Sequence, residues 1–175
     1  MDAIKTYKKI GIIIVSVLAL LFVLATLYRI EYAMETVTSF EVNTAYKNTN
    51  HTLLIATQGS AYKDTITKGV ITHFQSQDVY IQVIDVTHLE HIIAQEYTAI
   101  LILHTWEMGK APQEVVSFLN KCVTCDHIVV MSTSGDGVSK IQGIDALSGA
   151  SILERAPKRI EEIIVKLEPF ISTVD

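Results

Sequence analysis

Residues that carry hydroxyl groups, amide groups or no side chain gather in three short segments, each directly after an apolar run. The first segment consists of Thr57, Gln58, Gly59, Ser60, Ala61 and Tyr62. A helical pattern follows it at once, so the junction places unpaired backbone N–H groups at the positive end of a helix dipole. Such a junction favours an anion without a basic side chain. The segment therefore predicts a phosphate cradle for a nucleotide-like cofactor, with an ordinary strand-to-helix turn as the alternative.

The other two segments follow the apolar runs 99–103 and 127–131. The second, 104–111, contains Thr105, Trp106 and Gly109, and the third contains Ser132, Thr133, Ser134, Gly135 and Asp136. His104 begins the second segment; a histidine there can titrate near neutral pH, and a structural, hydrogen-bonded histidine is the alternative. The spacing contains no catalytic triad, carboxylate pair or metal-ligand set. We therefore predict no catalytic and no metal-binding residues, and whether the chain is an enzyme stays open.

Apolar runs that alternate with helical patterns must position these segments. Strands are predicted at 53–56, 79–86, 99–103, 127–131 and 141–147, and helices at 63–75, 89–95, from Pro112 onward and at 157–170. This alternation predicts an α/β domain with a mostly parallel sheet covered on both faces. If the strand order is 2-1-3-4-5, ligands bind between strands one and three, where the strand order reverses. Segments 57–62 and 104–111 then face each other, with 132–137 beside them.

An apolar segment at 10–28 precedes this domain and is close to the roughly 20 residues that cross a bilayer. Lys5, Lys8 and Lys9 precede it, which predicts a cytoplasmic N-terminus; a cleavable signal peptide is the alternative. The expected location is a single pass in a bacterial cytoplasmic membrane, with the C-terminal domain outside the cytoplasm. The expected organisation is a basic N-terminus at 1–9, a transmembrane helix at 10–28, a linker at 29–51 and the domain at 52–175.

Two cysteines, Cys122 and Cys125, form a C-x-x-C pair. In an oxidising compartment this pair can form a disulfide, and in the cytosol it can act as a redox pair or as half of a metal site. Since no second pair is present, a complete zinc site is not expected, and a disulfide or two structural free thiols are the preferred alternatives. The net charge of −5 and the absence of a basic stripe argue against a nucleic-acid partner.

Residues 52–172 resemble the flavodoxin-like family. Segment 57–62 is similar to the loop that holds the phosphate of FMN in flavodoxins. Thr105, Trp106 and Gly109 stand where that family carries its third-strand loop, often with an aromatic ring stacked on the isoalloxazine, and Ser132 to Gly137 resembles the loop on the other side of the ring. The resemblance implies a three-layer fold with five strands in the order 2-1-3-4-5, FMN as cofactor, and electron transfer in or beside a membrane redox complex.

A shorter resemblance covers Asp145 to Ser151, which is similar to the D-x-x-S/T-G-A-T/S sequence that carries covalently attached FMN. It implies a phosphoester to the hydroxyl of Ser151, whereas the alternative is a fifth strand followed by a helix-capping turn. A second hypothesis for the whole chain also stays open: a cofactor-free accessory or scaffold subunit of a membrane protein assembly. Tyr62 and the short crossover after the fourth strand favour that hypothesis, and Trp106 with the three aligned segments favours FMN.

Overall fold

The computed structural model describes residues 2–32, 34–122 and 125–172. The chain forms two separate units, Met1–Met34 and Glu35–Asp175. The first unit is helix α1, Asp2–Tyr32. Within it, Tyr7–Tyr28 forms a segment of 22 residues that is long and apolar enough to cross a membrane. The span predicted at 10–28 lies inside this segment, where no backbone polar group needs a partner outside the helix.

A six-stranded sheet forms the centre of the second unit. In chain order its strands are β1 (Phe40–Val42), β2 (Thr52–Thr57), β3 (Tyr80–Asp85), β4 (Ala99–Thr105), β5 (Ile128–Thr133) and β6 (Ala146–Gly149). The spatial order is β1-β3-β2-β4-β5-β6, and the five strands from β2 to β6 are parallel. These five have the predicted order 2-1-3-4-5, so that part of the fold prediction is confirmed.

The strand count is six rather than the predicted five, because β1 arises within the segment 29–51 that was interpreted as a linker. β1 runs antiparallel to β3, with Phe40 opposite Val83 and Val42 opposite Ile81. A strand of three residues is too short to show an alternating pattern, and its pairing depends on the free edge of β3. The side-chain amide of Asn43 then anchors the strand by donating hydrogen bonds to the carbonyls of Gln75, Gln77 and Val79, at 3.0, 3.2 and 3.0 Å.

Three helices cover the two faces of the sheet: α2 (Ala61–Phe74), α3 (Gln113–Lys121) and α4 (Ala156–Ile171). Alternate residues of each central strand point to opposite faces. One face packs against α2 and α4 and the other against α3. The four residues from Leu53 to Ala56 are completely buried, which explains why β2 is continuously apolar rather than alternating.

Two predicted elements differ in detail. The helix expected at 89–95 is replaced by two short 3₁₀ turns, Val86–His91 and Ala94–Glu96. The carboxylate of Asp85 caps the first turn by accepting the N–H of Thr87 at 2.9 Å, and the segment is too short for an α-helix to gain packing. The fifth predicted strand begins at Ala146 rather than at 141. The described residues between β5 and β6 contain no helix, in agreement with the prediction that this crossover is too short for one.

Candidate functional site

The three predicted segments meet at the edge of the sheet where β2, β4 and β5 end. Gln58, which is buried, accepts a hydrogen bond from the backbone N–H of Thr105 on its Oε1 atom at 2.7 Å. Its Nε2 atom donates to Glu107 at 3.3 Å. The N–H of Trp106 donates to the carbonyl of Thr133 at 2.7 Å. These bonds tie segment 57–62 to segment 104–111, and segment 104–111 to the end of β5.

Lys63 contributes a buried amine to the same edge. It is the third residue of α2, and side chains in the first turn of a helix point back toward its N-terminus. The side chain is 1% exposed, and its Nζ atom donates to Oγ1 of Thr105 at 2.5 Å. Burial lowers the pKa of Lys63 to about 8, partly opposed by the negative charges of Glu107 and Asp64. The amine is thus easily neutralised and strongly sensitive to an added negative charge.

The amine of Lys63 belongs to a chain of hydroxyl groups that crosses from β4 to β5. Oγ1 of Thr105 lies 2.8 Å from Oγ1 of Thr133, and Oγ1 of Thr133 donates to the carbonyl of His104 at 3.3 Å. Thr133 is 1% exposed. These threonines therefore fix the position of the amine beneath the edge of the sheet.

His104 lies on the opposite face of β4 and is completely buried. Its Nε2 atom is 2.7 Å from Oγ of Ser132, and its Nδ1 atom has no hydrogen-bond partner among the described residues. Burial lowers the pKa of His104 to about 4, with the charge of Lys63 acting in the same direction and a backbone hydrogen bond of Thr105 opposing. The imidazole is therefore neutral at physiological pH, which supports the structural alternative rather than a titrating group.

The backbone of segment 57–62 retains only part of its hydrogen-bonding capacity for a ligand. The N–H of Gln58 donates to Leu103, and the N–H and carbonyl of Gly59 exchange hydrogen bonds with Glu35 at 2.7 and 3.0 Å. A Cβ atom at Gly59 would lie 2.8 Å from the carbonyl oxygen of Glu35. The N–H groups of Ala61 and Tyr62 have no described acceptor. These two groups at the start of α2 form the part of the loop that stays available to an anion.

Ser60 and Tyr62 have structural side chains. Ser60 is the N-cap of α2, and its Oγ atom accepts the N–H of Lys63 at 3.3 Å. The ring of Tyr62 is 4% exposed and packs in the core between α2 and the sheet. Tyr62 consequently does not crowd the space above the loop. The hydroxyl of Thr57 is also turned inward, donating to the carbonyl of Gln58 at 3.1 Å.

Segment 104–111 continues as a tight turn after Trp106. Glu107 and Lys110 exchange two backbone hydrogen bonds at 2.9 and 3.0 Å, and the two central residues, Met108 and Gly109, have φ angles of 49° and 75°. Positive φ at both positions defines a type I′ turn. Met108 is 94% exposed at its tip. Trp106 is half-buried, and its indole N–H is buried with no described hydrogen-bond partner.

Segment 132–137 is closed upon itself by Asp136. The carboxylate accepts hydrogen bonds from the hydroxyls of Ser134 and Ser139 and from the N–H of Val138. These bonds, that of Ser134 first, lower the pKa of Asp136 to about 2. Gly135 has open space around its Cα atom. The loop thus presents backbone and a fixed negative charge at the edge of the site.

Ser151 lies beyond the last strand. It is exposed and follows β6, which occupies most of the short motif. The carboxylate of Asp145 pairs with Lys166 at 3.1 Å. The alternative of a strand followed by a helix-capping turn is therefore present only in its first part. The strand is there, but the N-cap of α4 is Arg155 rather than a residue of the motif. A phosphoester at Ser151 stays a prediction.

Comparisons with known proteins give structural relatives only. No protein-family model and no curated protein matches the sequence. The flavodiiron core from Synechocystis sp. shares 11% identity with a TM-score of 0.57, over 75% of this chain and 38% of that one. The domain has a flavodoxin-like fold. Oxidised flavodoxin 2 from Bacillus cereus shares 14% identity and a TM-score of 0.45, over 67% of this chain and 98% of its own. This chain spans well under half of the flavodiiron core.

The residues at the carboxyl edge fit the phosphate of a flavin nucleotide. A flavodoxin-like domain that carries FMN must offer donors to a phosphate. Here the N–H groups of Ala61 and Tyr62, which have no acceptor among the described residues, stand at the positive end of α2. The amine of Lys63, a residue of the same first turn, adds a cation at the same edge of the sheet, where it donates to Thr105. The buried, unpartnered indole N–H of Trp106 offers a further donor in the neighbouring segment. Among the described residues no cluster of three metal-ligating side chains occurs.

Proposed function

We propose that the chain is a membrane-tethered flavodoxin-like protein that binds FMN at the carboxyl edge of its sheet and takes part in electron transfer in or beside a membrane redox complex. The observation that carries this proposal is the pair of N–H groups at the start of α2 that have no acceptor among the described residues, together with the buried amine of Lys63 in the same helix turn. A helix N-terminus next to a cation is a site for a phosphate group.

Each part of the site has its own task in this proposal. Ala61 and Tyr62 bind the phosphate through their backbone, and Lys63 balances its charge. Trp106 and the turn that follows it border the ring, while segment 132–137 lies on the other side. The flavin supplies the electron-transfer chemistry when bound, and the protein supplies binding, orientation and a controlled electrostatic environment.

The tether in this proposal is α1. Its segment Tyr7–Tyr28 has the length and composition of a membrane span, and Lys8 and Lys9 precede most of it. The positive-inside rule then favours a cytoplasmic N-terminus in a bacterial membrane, with the flavodoxin-like domain on the outer side. In that setting the partners are a redox protein or the other subunits of a membrane complex, and nucleic acid is not a partner.

A cofactor-free scaffold subunit is the second candidate function, and one specific observation favours it. Glu35 pairs with Gly59 through two backbone hydrogen bonds, so the segment before β1 occupies one of the donors of the phosphate loop. In addition, the side chains of Gln58 and Asp136 already bond within the protein. A domain of this kind would keep the fold and present its surface to membrane partners.

An absorbance spectrum of the full-length protein, purified from its native membrane, tests the proposal. The sample is measured before and after acid precipitation. Flavin bands that move to the supernatant support FMN bound without a covalent bond, and flavin retained in the pellet supports attachment through Ser151. A colourless protein that also fails to bind added FMN contradicts the cofactor proposal and leaves the scaffold function.

A further inference from the structure

Cys122 and Cys125 lie at the end of the sheet opposite to the flavin site, between α3 and the start of β5. Cys122 caps the end of α3, with its N–H donating to the carbonyl of Leu119 at 3.1 Å. The N–H of Cys125 donates to the carbonyl of Cys122 at 3.0 Å. A hydrogen bond between residues i and i+3 holds their Cα atoms within about 7 Å, close to the range that a disulfide spans. This backbone bond therefore holds Cys122 and Cys125 at a Cα separation compatible with a disulfide.

The thiol of Cys125 contacts one amide: Nε2 of Gln95 donates to Sγ of Cys125 at 3.9 Å. Both side chains are half-buried and pack against the core beneath α3. Burial first, and then the neighbouring thiol, raises the pKa of Cys122 to about 11. The reduced pair therefore gains no stability from a thiolate at Cys122. A dithiol that lacks this stabilisation is readily oxidised to the disulfide.

A groove gives access to both cysteines from solvent. Its volume is about 540 Å³, and its walls come from the end of α3, the segment before β6 and the last turns of α4. Asp145 and Lys166 form an ion pair of 3.1 Å among the lining residues, and Asp126 adds a further carboxylate. The groove therefore combines reachable sulfur atoms with charges of both signs, which suits a small zwitterionic peptide.

We propose that Cys122 and Cys125 form a dithiol–disulfide site that exchanges with small peptide disulfides of the glutathione class entering this groove. The site is separate from the flavin site and does not depend on flavin binding. In an oxidising compartment, the expected resting form is the disulfide.

The exchange balances in two steps. The thiolate of Cys125 attacks one sulfur of the peptide disulfide, which breaks the S–S bond, releases one peptide thiolate and leaves a mixed disulfide on Cys125. Cys122 then loses its proton to solvent and attacks the Cys125 sulfur, forming the internal disulfide and releasing the second peptide thiolate. The two released thiolates take up the two protons, so the cysteines are oxidised by two electrons and the peptide disulfide is reduced to two thiols. Because the amide of Gln95 donates to Sγ of Cys125 and can stabilise a thiolate there, whereas burial keeps Cys122 protonated, we assign the first attack to Cys125.

A redox titration of the full-length protein tests the site. The protein is equilibrated in buffers with increasing ratios of oxidised to reduced glutathione, alkylated, and weighed by mass spectrometry. We expect both cysteines to become resistant to alkylation together, in one two-electron transition. The product should weigh two hydrogens less than the unalkylated dithiol form of the protein. Two cysteines that stay alkylatable over the whole range, or a glutathione adduct that accumulates instead of the internal bond, would overturn the proposal. This titration uses the wild-type chain and needs no variant to fold.

Matched variants test the order of attack. Cys122→Ser is expected to trap a glutathione adduct on Cys125, because the resolving thiol is missing. Cys125→Ser is expected to form its adduct about tenfold more slowly, since burial keeps the remaining thiol protonated. Circular dichroism of each variant establishes that it is folded. Equal rates, or faster adduct formation at Cys122, would contradict the assigned roles.

Discussion

Replacing Lys63 by methionine removes a buried amine and keeps a side chain of similar length. The pKa of Lys63 falls from the ordinary value of 10.5 to about 8 on folding. At about 1.4 kcal/mol per pH unit, this difference in pKa corresponds to about 3 kcal/mol. The buried charged amine lowers the free energy of unfolding of the wild type by this amount at any pH at which Lys63 is protonated in both the folded and the unfolded state. Above pH 8 the folded protein loses the proton first and the unfolded chain keeps it up to pH 10.5. The free energy of unfolding contributed by Lys63 therefore rises between these two pH values and is constant below them.

The assay is urea unfolding of the full-length protein in detergent at a series of pH values. Trp106 is the single tryptophan of the chain and borders the site, so its fluorescence reports on this unit directly. The stability of Lys63→Met minus that of the wild type should be greatest near pH 7 and should shrink by about 3 kcal/mol toward pH 11. The variant also loses the hydrogen bond to Thr105. This loss lowers its stability by the same amount at low and at high pH, so it does not alter how the stability difference changes with pH.

Lys68→Met is the matched control, because Lys68 lies on the same helix and is exposed. Its stability difference from the wild type should not vary with pH over the same range. The reasoning is refuted if the Lys63→Met difference is as flat as that of the control, or if it grows toward high pH. Either result would mean that the amine is hydrated in the folded protein, and the electrostatic argument for a phosphate site would lose its basis.

Three further predictions concern the same edge of the sheet. Lys63→Met should weaken FMN binding about 10- to 100-fold while leaving the affinity for riboflavin unchanged, because a charge-assisted hydrogen bond to phosphate is worth about 1.5–3 kcal/mol; fluorescence quenching titrations measure both. Gly59→Ala should lower the free energy of unfolding by about 1–3 kcal/mol, since its Cβ would meet the carbonyl of Glu35 at 2.8 Å, and an unchanged urea midpoint would contradict this contact. Ser132→Ala should cost about 1–3 kcal/mol because it leaves Nε2 of buried His104 unpaired, which the same unfolding assay detects as a lower midpoint.

The buried amine also separates the two candidate functions. A phosphate above α2 stabilises the charged form of Lys63, so FMN binding above pH 8 should take up a proton. A scaffold without a cofactor would offset the cost of the buried amine only through contacts within the protein, such as those with Glu107 and Thr105. Calorimetric FMN titrations in buffers of different ionisation enthalpy measure proton uptake directly, and FMN binding without proton uptake at pH 9 would exclude Lys63 from the phosphate site.

Continuous apolar runs in the sequence determined the central strands and the membrane-length helix. Every residue of 53–56 and 99–103 is apolar, rather than every second one, because both faces of β2 and β4 are covered. The strand order was implied by the resemblance to the flavodoxin-like family, and the meeting of the three polar segments followed from that order. A sequence pattern carries these features because they depend on the burial of many residues at once.

Single contacts between distant segments could be decided only by the tertiary structure. Lysine at the third position of a helix normally reaches solvent, whereas the buried amine of Lys63 donates to Thr105 at the end of β4, and Thr105 in turn bonds Thr133 of β5. The pairing of Glu35 with Gly59 and the strand Phe40–Val42 likewise depend on a partner far away in the chain. Local propensity contains no information about such partners, because the free energy of each contact comes from groups that the sequence does not place side by side.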